Sequence, residues 1–333
     1  MALVQSITET YTAEFTTDLF VKPAVEVAGL NEFFEIRTGI KNSQAMYFTN
    51  PLDEITERYV AVNRRNETDN GITITEKLLT LGRMRVYLEQ DNEIWKNTIF
   101  ETKMRSGVEE NEPLADSALQ TVMQNLIVDA AGRDAYRAAF FDDADGANNK
   151  RNKMNGFWKQ VIQNVPGYCV DKIQDIGASL PTGANIITLF RNMYQNCDLE
   201  LAQVPDNEKH FLVTRSIYNS LLAALSDSTI STEFTLERLV NGTPVLKFYG
   251  VEVKAMFLWD QAISNRSLSN PHRIVYTPKP SSRASNWILG LDNRSDETFL
   301  KAWYSDDDDE QKFEMRYKMG LIFKHCGMTA VAY

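Results

Sequence analysis

Apolar residues recur at steps of three and four between Asn111 and Phe141. This spacing places them on one stripe and predicts a long α-helix. Asn111 suits the N-cap and Pro113 the first turn, while Arg133 and Arg137 fall near the negative end of the helix dipole. At 1.5 Å per residue the helix would be roughly 40 Å long. Two interpretations stay open, a strut across a domain and a long core helix.

Alternating apolar and charged residues before the helix predict β-strands. Residues 59–62 form one short run, and residues 72–88 form a longer one. Asp69, Asn70 and Gly71 lie between the runs and tolerate the positive φ of a tight hairpin turn. Charged residues are interleaved along the whole stretch, so this hairpin cannot belong to a small core. We expect it to project.

Residues 1–50 carry several aromatic residues among many Thr, Glu and Asn residues, with no sustained period. Such a segment can scarcely bury its aromatic side chains against itself. It is either an extended arm packed on another surface, such as another subunit, or a segment that wraps its own domain. The aromatic residues are Tyr11, Phe15, Phe20, Phe33, Phe34, Tyr47 and Phe48.

The later part of the chain alternates between strand-like and helix-like patterns. A helical pattern from Ile187 to Leu201 precedes the strand-like HFLVT, and Thr214 then suits the cap of a further helix. Strand patterns return at 244–249 and 251–256. This alternation predicts a mixed α/β layer.

A hairpin is predicted at the C-terminal end, with residues 298–304 as one arm and 313–323 as the other. The acidic run from Asp306 to Glu310 lies between the arms. We interpret the run as a solvated hairpin tip, with cation binding or an electrostatic contact with a neighbouring subunit as alternatives. The Asp-rich loop 142–153 lacks the spacing and the bidentate Glu of a calcium loop, so we expect its acids to be solvated.

Composition limits the classes of function. The 333 residues are 43% hydrophobic and 24% charged, which is typical of a folded protein with one large or two medium domains. The net charge of −10 argues against a protein that coats nucleic acid but permits one that encloses it. The N-terminus has no signal-peptide pattern, and no apolar run reaches the ~18 residues of a membrane span, so no membrane partner is predicted.

Motifs of the common enzyme classes are absent from the sequence, including the P-loop, the G-x-S-x-G elbow and H-E-x-x-H. No histidine has a cysteine or carboxylate at a recognisable catalytic or ligand spacing, and no two cysteines have metal-ligand spacing. We therefore predict no enzyme and no catalytic, cofactor-binding or metal-binding residues. The residues concerned are His210, His272, His325, Cys169, Cys197 and Cys326.

Several stretches, in their order along the chain, resemble the major capsid proteins of tailed bacteriophages, which share the Hong Kong 97 fold. They are most similar to those of phages with Bacteroidetes-type hosts. The stretches are FFEIRTGIKNSQAMYF, ITITEKLLTLGRMRVYLEQDNEIWKNTI, FFDDADGANNKRNKMNGFWKQVI, FYGVEVKAM, HRIVYTPKPSSRASNWILGLD and FEMRYKMGLIF.

The resemblance implies an α+β, Hong Kong 97-like fold with four parts. Residues 1–54 would form an N-terminal arm and residues 55–110 an extended β-hairpin loop. Residues 111–183 and 292–333 would form a peripheral domain, and residues 184–291 an axial α/β domain. The helix at 111–141 would be the spine of the peripheral domain, with Leu119, Met123 and Ile127 facing its sheet.

The implied function is that of a major capsid protein. Subunits would assemble into hexamers and pentamers of an icosahedral head that encloses double-stranded DNA without sequence-specific binding. The protein would assemble in the host cytoplasm and end in the virion, with separate scaffold, portal and decoration proteins as possible partners. The candidates for contacts between subunits are Phe15, Phe20, Arg64, Arg65, Asn70, Gly71, Arg83 and Arg85.

Two alternatives and one family property stay open. The first alternative is an encapsulin-like shell that loads a cargo enzyme, and the second is an α/β enzyme with an unrecognised site. Some capsid proteins of this fold crosslink through a lysine of the extended loop and an asparagine of a neighbour. Lys77, Lys96 and Lys103 are loop lysines, but nothing in the sequence identifies their partners.

Overall fold

The computed structural model describes residues 29–49, 74–91, 118–162, 172–177, 179–226, 234–238, 244–268, 270–292, 300–305, 310–325 and 327–333. The helices are α1 Ala118–Phe141, α2 Phe157–Ile162, α3 Ala184–Gln195, α4 Leu199–Ala202, α5 Arg215–Ser226 and α6 Phe257–Arg266. The strands are β1 Glu35–Thr38, β2 Ser43–Thr49, β3 Ile74–Thr80, β4 Gly82–Asp91, β5 Lys172–Gln174, β6 Lys209–Val213, β7 Phe234–Arg238, β8 Pro244–Phe248, β9 Val251–Ala255, β10 Ile274–Pro278, β11 Trp287–Asp292, β12 Leu300–Ser305, β13 Glu310–Phe323 and β14 Ala330–Ala332.

Helix α1 is the longest described helix, with 24 residues, or roughly 36 Å at the usual rise. It ends at Phe141 as predicted, while the predicted start at Asn111 and the side chains of Leu119 and Met123 lie outside the described residues. Its buried positions include Ile127 and several alanines, which let neighbouring elements approach closely. The predicted apolar stripe includes Leu126, and its expected burial is wrong, because the residue is 57% exposed.

A five-stranded sheet with the order β1-β11-β13-β12, in which β4 also pairs with β13, lies against α1. The predicted C-terminal hairpin is confirmed, because β12 and β13 pair antiparallel up to Ser305 and Glu310. Asp306–Asp309 lie outside the described residues. Strand β4 pairs along the other edge of β13, from Met319 to Glu310.

The predicted single strand over residues 72–88 is divided in two. Strand β3 pairs antiparallel with β2 in a separate two-stranded sheet, whereas β4 joins the five-stranded sheet. Strand β4 begins at Gly82, where glycine is required because a Cβ atom would lie 2.0 Å from the carbonyl oxygen of Lys153. The predicted first run, residues 59–62, and the predicted turn at Asp69–Gly71 lie outside the described residues.

A seven-stranded sheet has the order β5-β14-β10-β6-β9-β8-β7 and confirms the predicted α/β layer. One face packs on α3 and α5 through Phe190 and Ile217, and the other shares a core with α1, α2 and α6. As predicted, β6 runs through Thr214 directly into α5. Between β8 and β9, Tyr249 and Gly250 have φ angles of 46° and 85°, which close a tight hairpin turn.

The chain passes between the two large sheets after β10 and after β13, so β11 belongs to the five-stranded sheet and β14 to the seven-stranded one. Helices α1, α2 and α6 lie between the sheets, and Phe140, Trp158 and Trp259 form an aromatic cluster there. The order of layers is therefore α3 and α5, the seven-stranded sheet, the central helices, and the five-stranded sheet.

This core fixes the position of part of the N-terminal region and of the loop after α1. Phe33 and Phe34 pack on Phe140, with ring centroids 6.1 and 5.0 Å away, so this part of the N-terminal region wraps its own domain. The acids of the loop after α1 are not all solvated as predicted, because Asp142 is fully buried. Phe15 and Phe20 lie outside the described residues.

Candidate assembly surface

Strand β13 carries two faces because successive side chains alternate across a sheet. Phe313, Met315 and Tyr317 are buried in the core shared with α1. The opposite face begins at Ile322 and Gly320 and continues through Lys318 to Arg316, Glu314 and Lys312. This second face is the candidate functional surface, because the two-stranded sheet covers one end of it. Its other end is polar, with Arg316 exposed and Glu314 and Lys312 partly buried.

The two-stranded sheet β2–β3 sits on a notch made by two glycines. Gly290 and Gly320 are register partners on β11 and β13. A Cβ atom on Gly290 would lie 2.7 Å from Cδ2 of Leu79, and one on Gly320 would lie 2.4 Å from the carbonyl oxygen of Thr80. Glycine is therefore required at Gly320, where the close atom is backbone, whereas a side chain at Gly290 would displace the end of the Leu79 side chain.

The inner face of the two-stranded sheet is anchored by apolar packing and one lysine. Met46 and Leu79 are buried with Ile288 and Ile322 of the five-stranded sheet. The Lys77 Nζ atom donates to the carbonyl oxygens of Phe323 and Lys324, at 3.3 and 3.0 Å. Burial lowers the pKa of this lysine. Lys77, one of the loop lysines named above, therefore anchors the two-stranded sheet to the end of β13.

The outer face of the same two-stranded sheet carries three exposed large apolar side chains, with the exposed Glu76 between two of them. Tyr47, Ile74 and Leu78 are 66%, 62% and 52% exposed. Their strand positions alternate with the buried Met46 and Leu79, so they share the face turned away from the core. Large apolar side chains grouped in this way make the face a candidate interaction surface. We call these three residues the apolar hairpin face.

Beyond the hairpin, the face of β4, β13 and β12 is charged and exposed. Arg85 Nε lies 2.6 Å and Arg316 Nη2 lies 2.8 Å from the same Glu314 carboxylate oxygen. The Arg85 guanidinium also stacks over Tyr87, 4.4 Å from the ring centre. Burial would raise the pKa of Glu314, but hydrogen bonds and charges from Arg316 and Arg85 outweigh it and lower this pKa.

Of the eight predicted contact residues, the structure describes Arg83 and Arg85, which are both exposed on this charged face. They lie in strand β4 rather than on a projecting hairpin. The sequence reasoning missed Lys301, Lys312 and Arg316 on the same face and the apolar hairpin face itself. The signal for Lys312 and Arg316 was present, since they occupy the alternate positions to Phe313 and Met315. Phe15, Phe20, Arg64, Arg65, Asn70 and Gly71 lie outside the described residues.

The end of α1 is held by a buried ion-pair network. Arg266 of α6 donates to an Asp142 carboxylate oxygen and to the carbonyl oxygen of Phe141, both at 2.6 Å, and Lys153 Nζ lies 3.6 Å from the other Asp142 oxygen. Burial raises the pKa of Asp142, against the lowering effect of Lys153 and Arg266. The acids that follow, Asp143 and Asp145, pair with the buried Lys159 at 2.5 and 3.2 Å.

The described histidines have structural surroundings. His210 is buried in β6, where burial lowers its pKa to about 3. His272 Nδ1 lies 2.9 Å from Ser216 Oγ at the start of α5, and His325 packs on Phe48. Within the described ranges, no group of three or more His, Cys, Asp or Glu residues is placed to hold a metal ion. Among the described helices, none is long and apolar enough to cross a membrane.

No protein-family model matches the chain, and no curated protein matches it in sequence. Solved structures do match it in three dimensions. The SrpI encapsulin of Synechococcus elongatus PCC 7942 has a TM-score of 0.55 and 9% identity, over 92% of this chain and 86% of that one. The capsid of a native GTA particle has a TM-score of 0.55 and 10% identity, over 92% and 90%.

The structure of Mycobacterium phage Adephagia has a TM-score of 0.53 and 10% identity, over 93% of this chain and 89% of that one. At these identities the likeness concerns the fold. The chain therefore has the mixed α+β, Hong Kong 97-like fold that the resemblance in sequence implied. The N-terminal arm, the extended loop and the domain bounds stay predictions.

Proposed function

We propose that this chain is the major capsid protein of a tailed phage. Copies of it assemble into hexamers and pentamers of an icosahedral head that encloses double-stranded DNA. The observation that carries the proposal is the apolar hairpin face of Tyr47, Ile74 and Leu78, which the described core does not cover. The likeness of the whole fold to shell proteins supports it.

The physical reason lies in the poor stability of a two-stranded sheet. Two strands alone are marginally stable in water and need a further apolar contact. Here the inner face finds that contact on its own subunit and the outer face finds it on a second copy. Burying half-exposed Leu and Ile side chains contributes on the order of 1 kcal/mol each. In a closed shell every subunit makes this contact, so many weak contacts add up.

The charge of the chain suits an enclosing wall. With a net charge of −10, the subunit as a whole repels the phosphate backbone, so densely packed DNA is held without adhering to the shell. We propose a structural rather than catalytic role, with assembly in the host cytoplasm and residence in the virion. Separate scaffold, portal and decoration proteins and a Bacteroidetes-type host belong to the same proposal.

The proposed division into domains follows the predicted bounds, with one refinement from the sheets. Residues 1–54 form the arm, 55–110 the extended loop, 111–183 and 292–333 the peripheral domain, and 184–291 the axial domain. Strand Trp287–Asp292 pairs with β13, which favours a bound several residues earlier for the return to the peripheral domain.

The test is assembly of the purified chain, measured by light scattering after size exclusion and by negative-stain electron microscopy. We expect large particles or capsomers of the wild-type protein. Leu78→Glu places a charge on the apolar hairpin face and should reduce assembly at least tenfold. Leu126→Glu is the matched control, because Leu126 is similarly exposed, at 57%, but lies on α1. It should assemble as the wild type does.

A wild-type protein that stays monomeric at high concentration, with its scaffold protein present, would contradict the proposal. Equal assembly of Leu78→Glu and Leu126→Glu would show that the apolar hairpin face makes no contact on which assembly depends. Circular dichroism of both variants shows whether any loss of assembly reflects loss of folding.

An encapsulin-like shell is the second candidate, because the encapsulin and the GTA capsid match the fold at the same TM-score of 0.55. The neighbouring genes discriminate between the two. Terminase, portal and protease genes indicate a phage head, whereas a single adjacent cargo enzyme that copurifies with the particles indicates a protein compartment.

A further inference from the structure

Two segments of the chain run side by side in both large sheets. Strands β10 and β14 pair antiparallel in the seven-stranded sheet, and β11 and β13 pair antiparallel in the five-stranded one. Residues 279–286 connect β10 to β11, and residues 324–329 connect β13 to β14. One antiparallel ribbon therefore continues from one sheet into the other, and the two connections form the corner where it turns.

Polar side chains take the place of the strand ladder at this corner. The Oδ1 atom of the buried Asn286 accepts from the main-chain nitrogen of His325 at 2.8 Å, and its Nδ2 atom donates to the main-chain oxygen of His325 at 2.9 Å. The main-chain oxygen of Asn286 accepts from the main-chain nitrogen of Lys324 at 2.9 Å. A side-chain amide that bonds both main-chain groups of one residue acts as a strand peptide does, so the two connections are held in register.

The hydroxyl group of Thr329 ties this corner to both sheets. It accepts from Asn286 Nδ2 at 2.9 Å and from Trp287 Nε1, at the start of β11, at 3.0 Å. Both nitrogens can only donate, so they occupy both acceptor positions of the hydroxyl oxygen. The hydroxyl hydrogen is therefore donated to Thr277 Oγ1 in β10, 3.2 Å away. One hydroxyl group thus uses its whole bonding capacity to join a strand of each sheet.

These bonds constrain the angle between the sheets more closely than the apolar contacts do. The sheets pack on α1, α2 and α6 through a shared apolar core, and apolar packing is not directional. Hydrogen bonds tolerate only a narrow range of angles. Thr277, Asn286, Trp287 and Thr329 are each at most 2% exposed, so water is not at hand to replace a broken bond. Turning one sheet relative to the other would therefore break bonds that nothing nearby restores.

We propose that the Thr329 hydroxyl and the Asn286 amide set the angle between the two large sheets, and that this angle sets the diameter of the assembled shell. The inference rests on the proposed shell function. In a closed assembly, the angle at which neighbouring subunits meet decides where it closes. The apolar hairpin face is carried by the five-stranded sheet, so turning that sheet also turns a proposed contact with the next subunit. Thr329 and Asn286 are thus positioning residues.

The test removes the hydroxyl while nearly keeping the shape of the side chain. Thr329→Val leaves the Trp287 N–H and one Asn286 N–H without this acceptor. We expect a lower melting temperature of the subunit. We also expect particles whose diameters, measured by electron microscopy, spread at least twice as widely as those of the wild type. Thr329→Ser keeps the hydroxyl and should restore the wild-type spread.

Thr214→Val is the matched control, because it removes the hydroxyl of another buried threonine within the seven-stranded layer. Thr214 Oγ1 accepts from the main-chain nitrogen of Arg273 at 3.3 Å and lies 3.2 Å from Ser216 Oγ. This variant should lower the melting temperature and leave the diameters unchanged. Thr277→Val is a milder variant, since it breaks the link to β10 and keeps the two bonds that Thr329 accepts. It should also widen the spread, and it decides the test if Thr329→Val does not fold.

The outcomes separate this inference from the proposed function. If the wild type forms no particles, both fail. If the wild type assembles and the deciding variant gives wild-type diameters, the inference alone is overturned. It is also overturned if Thr214→Val widens the spread equally, since diameter would then follow stability. Folded Thr329→Val subunits that associate without closing support the inference, whereas folded subunits that no longer associate contradict it, because a changed angle leaves each contact surface intact.

Discussion

The two faces of β13 share one backbone and alternate residue by residue, yet their side chains have different surroundings. Phe313, Met315 and Tyr317 are buried beneath α1, whereas Glu314 and Arg316 on the alternate positions stay at the surface. The buried face accounts for folding of one subunit. The other face is divided: Ile322 packs under the two-stranded sheet, whereas Arg316 is exposed and is a candidate for contacts with a second subunit. Stability and assembly should therefore respond to different substitutions in a single strand.

The largest expected effect comes from the buried face. Phe313→Ala removes a fully buried ring from the core shared with α1, which should cost about 3–5 kcal/mol of unfolding free energy. Urea unfolding of unassembled subunits measures it. Lys301→Ala, exposed on the other face, is the control and should change stability by less than about 0.5 kcal/mol. Similar losses for both variants would mean that the two faces are not separated in this way.

The second prediction concerns the buried ion pair that fixes α1 to α6. Arg266→Met leaves the Asp142 carboxylate fully buried with only Lys153 nearby, at 3.6 Å. The unfolding free energy should fall by about 3 kcal/mol. Adding Asp142→Asn removes the uncompensated charge and should recover part of the loss. If the double variant is less stable than Arg266→Met, the network is not held by the charge of Asp142.

The sequence predicted what depends on local periodicity. Helix α1, the β6–α5 unit and the β12–β13 hairpin each repeat an apolar pattern along one segment, and each is present. The division between β3 and β4 was not predictable in this way, because the two segments pair with different strands, β2 and β13. The burial of Asp142 likewise depends on Arg266, 124 positions away.

The candidate surface was predicted only in part, for a related reason. The sequence shows Arg83 and Arg85 as charged residues of a predicted strand. Their register with Lys318 and Arg316 depends on the fold and is not visible in the sequence. Ile74 and Leu78 of the apolar hairpin face were predicted in one strand, and Tyr47 in the N-terminal segment, so their common face was not predicted. Which of two alternate faces is open depends on what packs there, and that is decided by residues far along the chain.

The third prediction tests how β1 is tied to the same sheet. Burial would raise the pKa of Glu35, but hydrogen bonds from Lys324 and Ser285 outweigh it and lower this pKa to about 2. The ionised form therefore stabilises the fold above pH 4.5, and its contribution is lost as the pH falls from 4.5 toward about 2. Since the site is partly exposed, we expect on the order of 1 kcal/mol. Glu35→Gln should be less stable than the wild type at pH 6 and nearly equal to it at pH 2.5, measured by chemical denaturation; a constant difference would contradict the assignment.

The smallest effect on stability, and the sharpest test of the two faces, comes from Glu314→Gln. This substitution removes the carboxylate between Arg85 and Arg316, so two opposed guanidinium groups lose their shared partner. We expect a loss of about 0.5 kcal/mol in unfolding free energy, and Glu314→Gln with Arg316→Gln should recover it. Urea unfolding of unassembled subunits measures both variants. If the double variant stays as unstable as Glu314→Gln, the loss does not come from the two guanidinium groups that share this carboxylate.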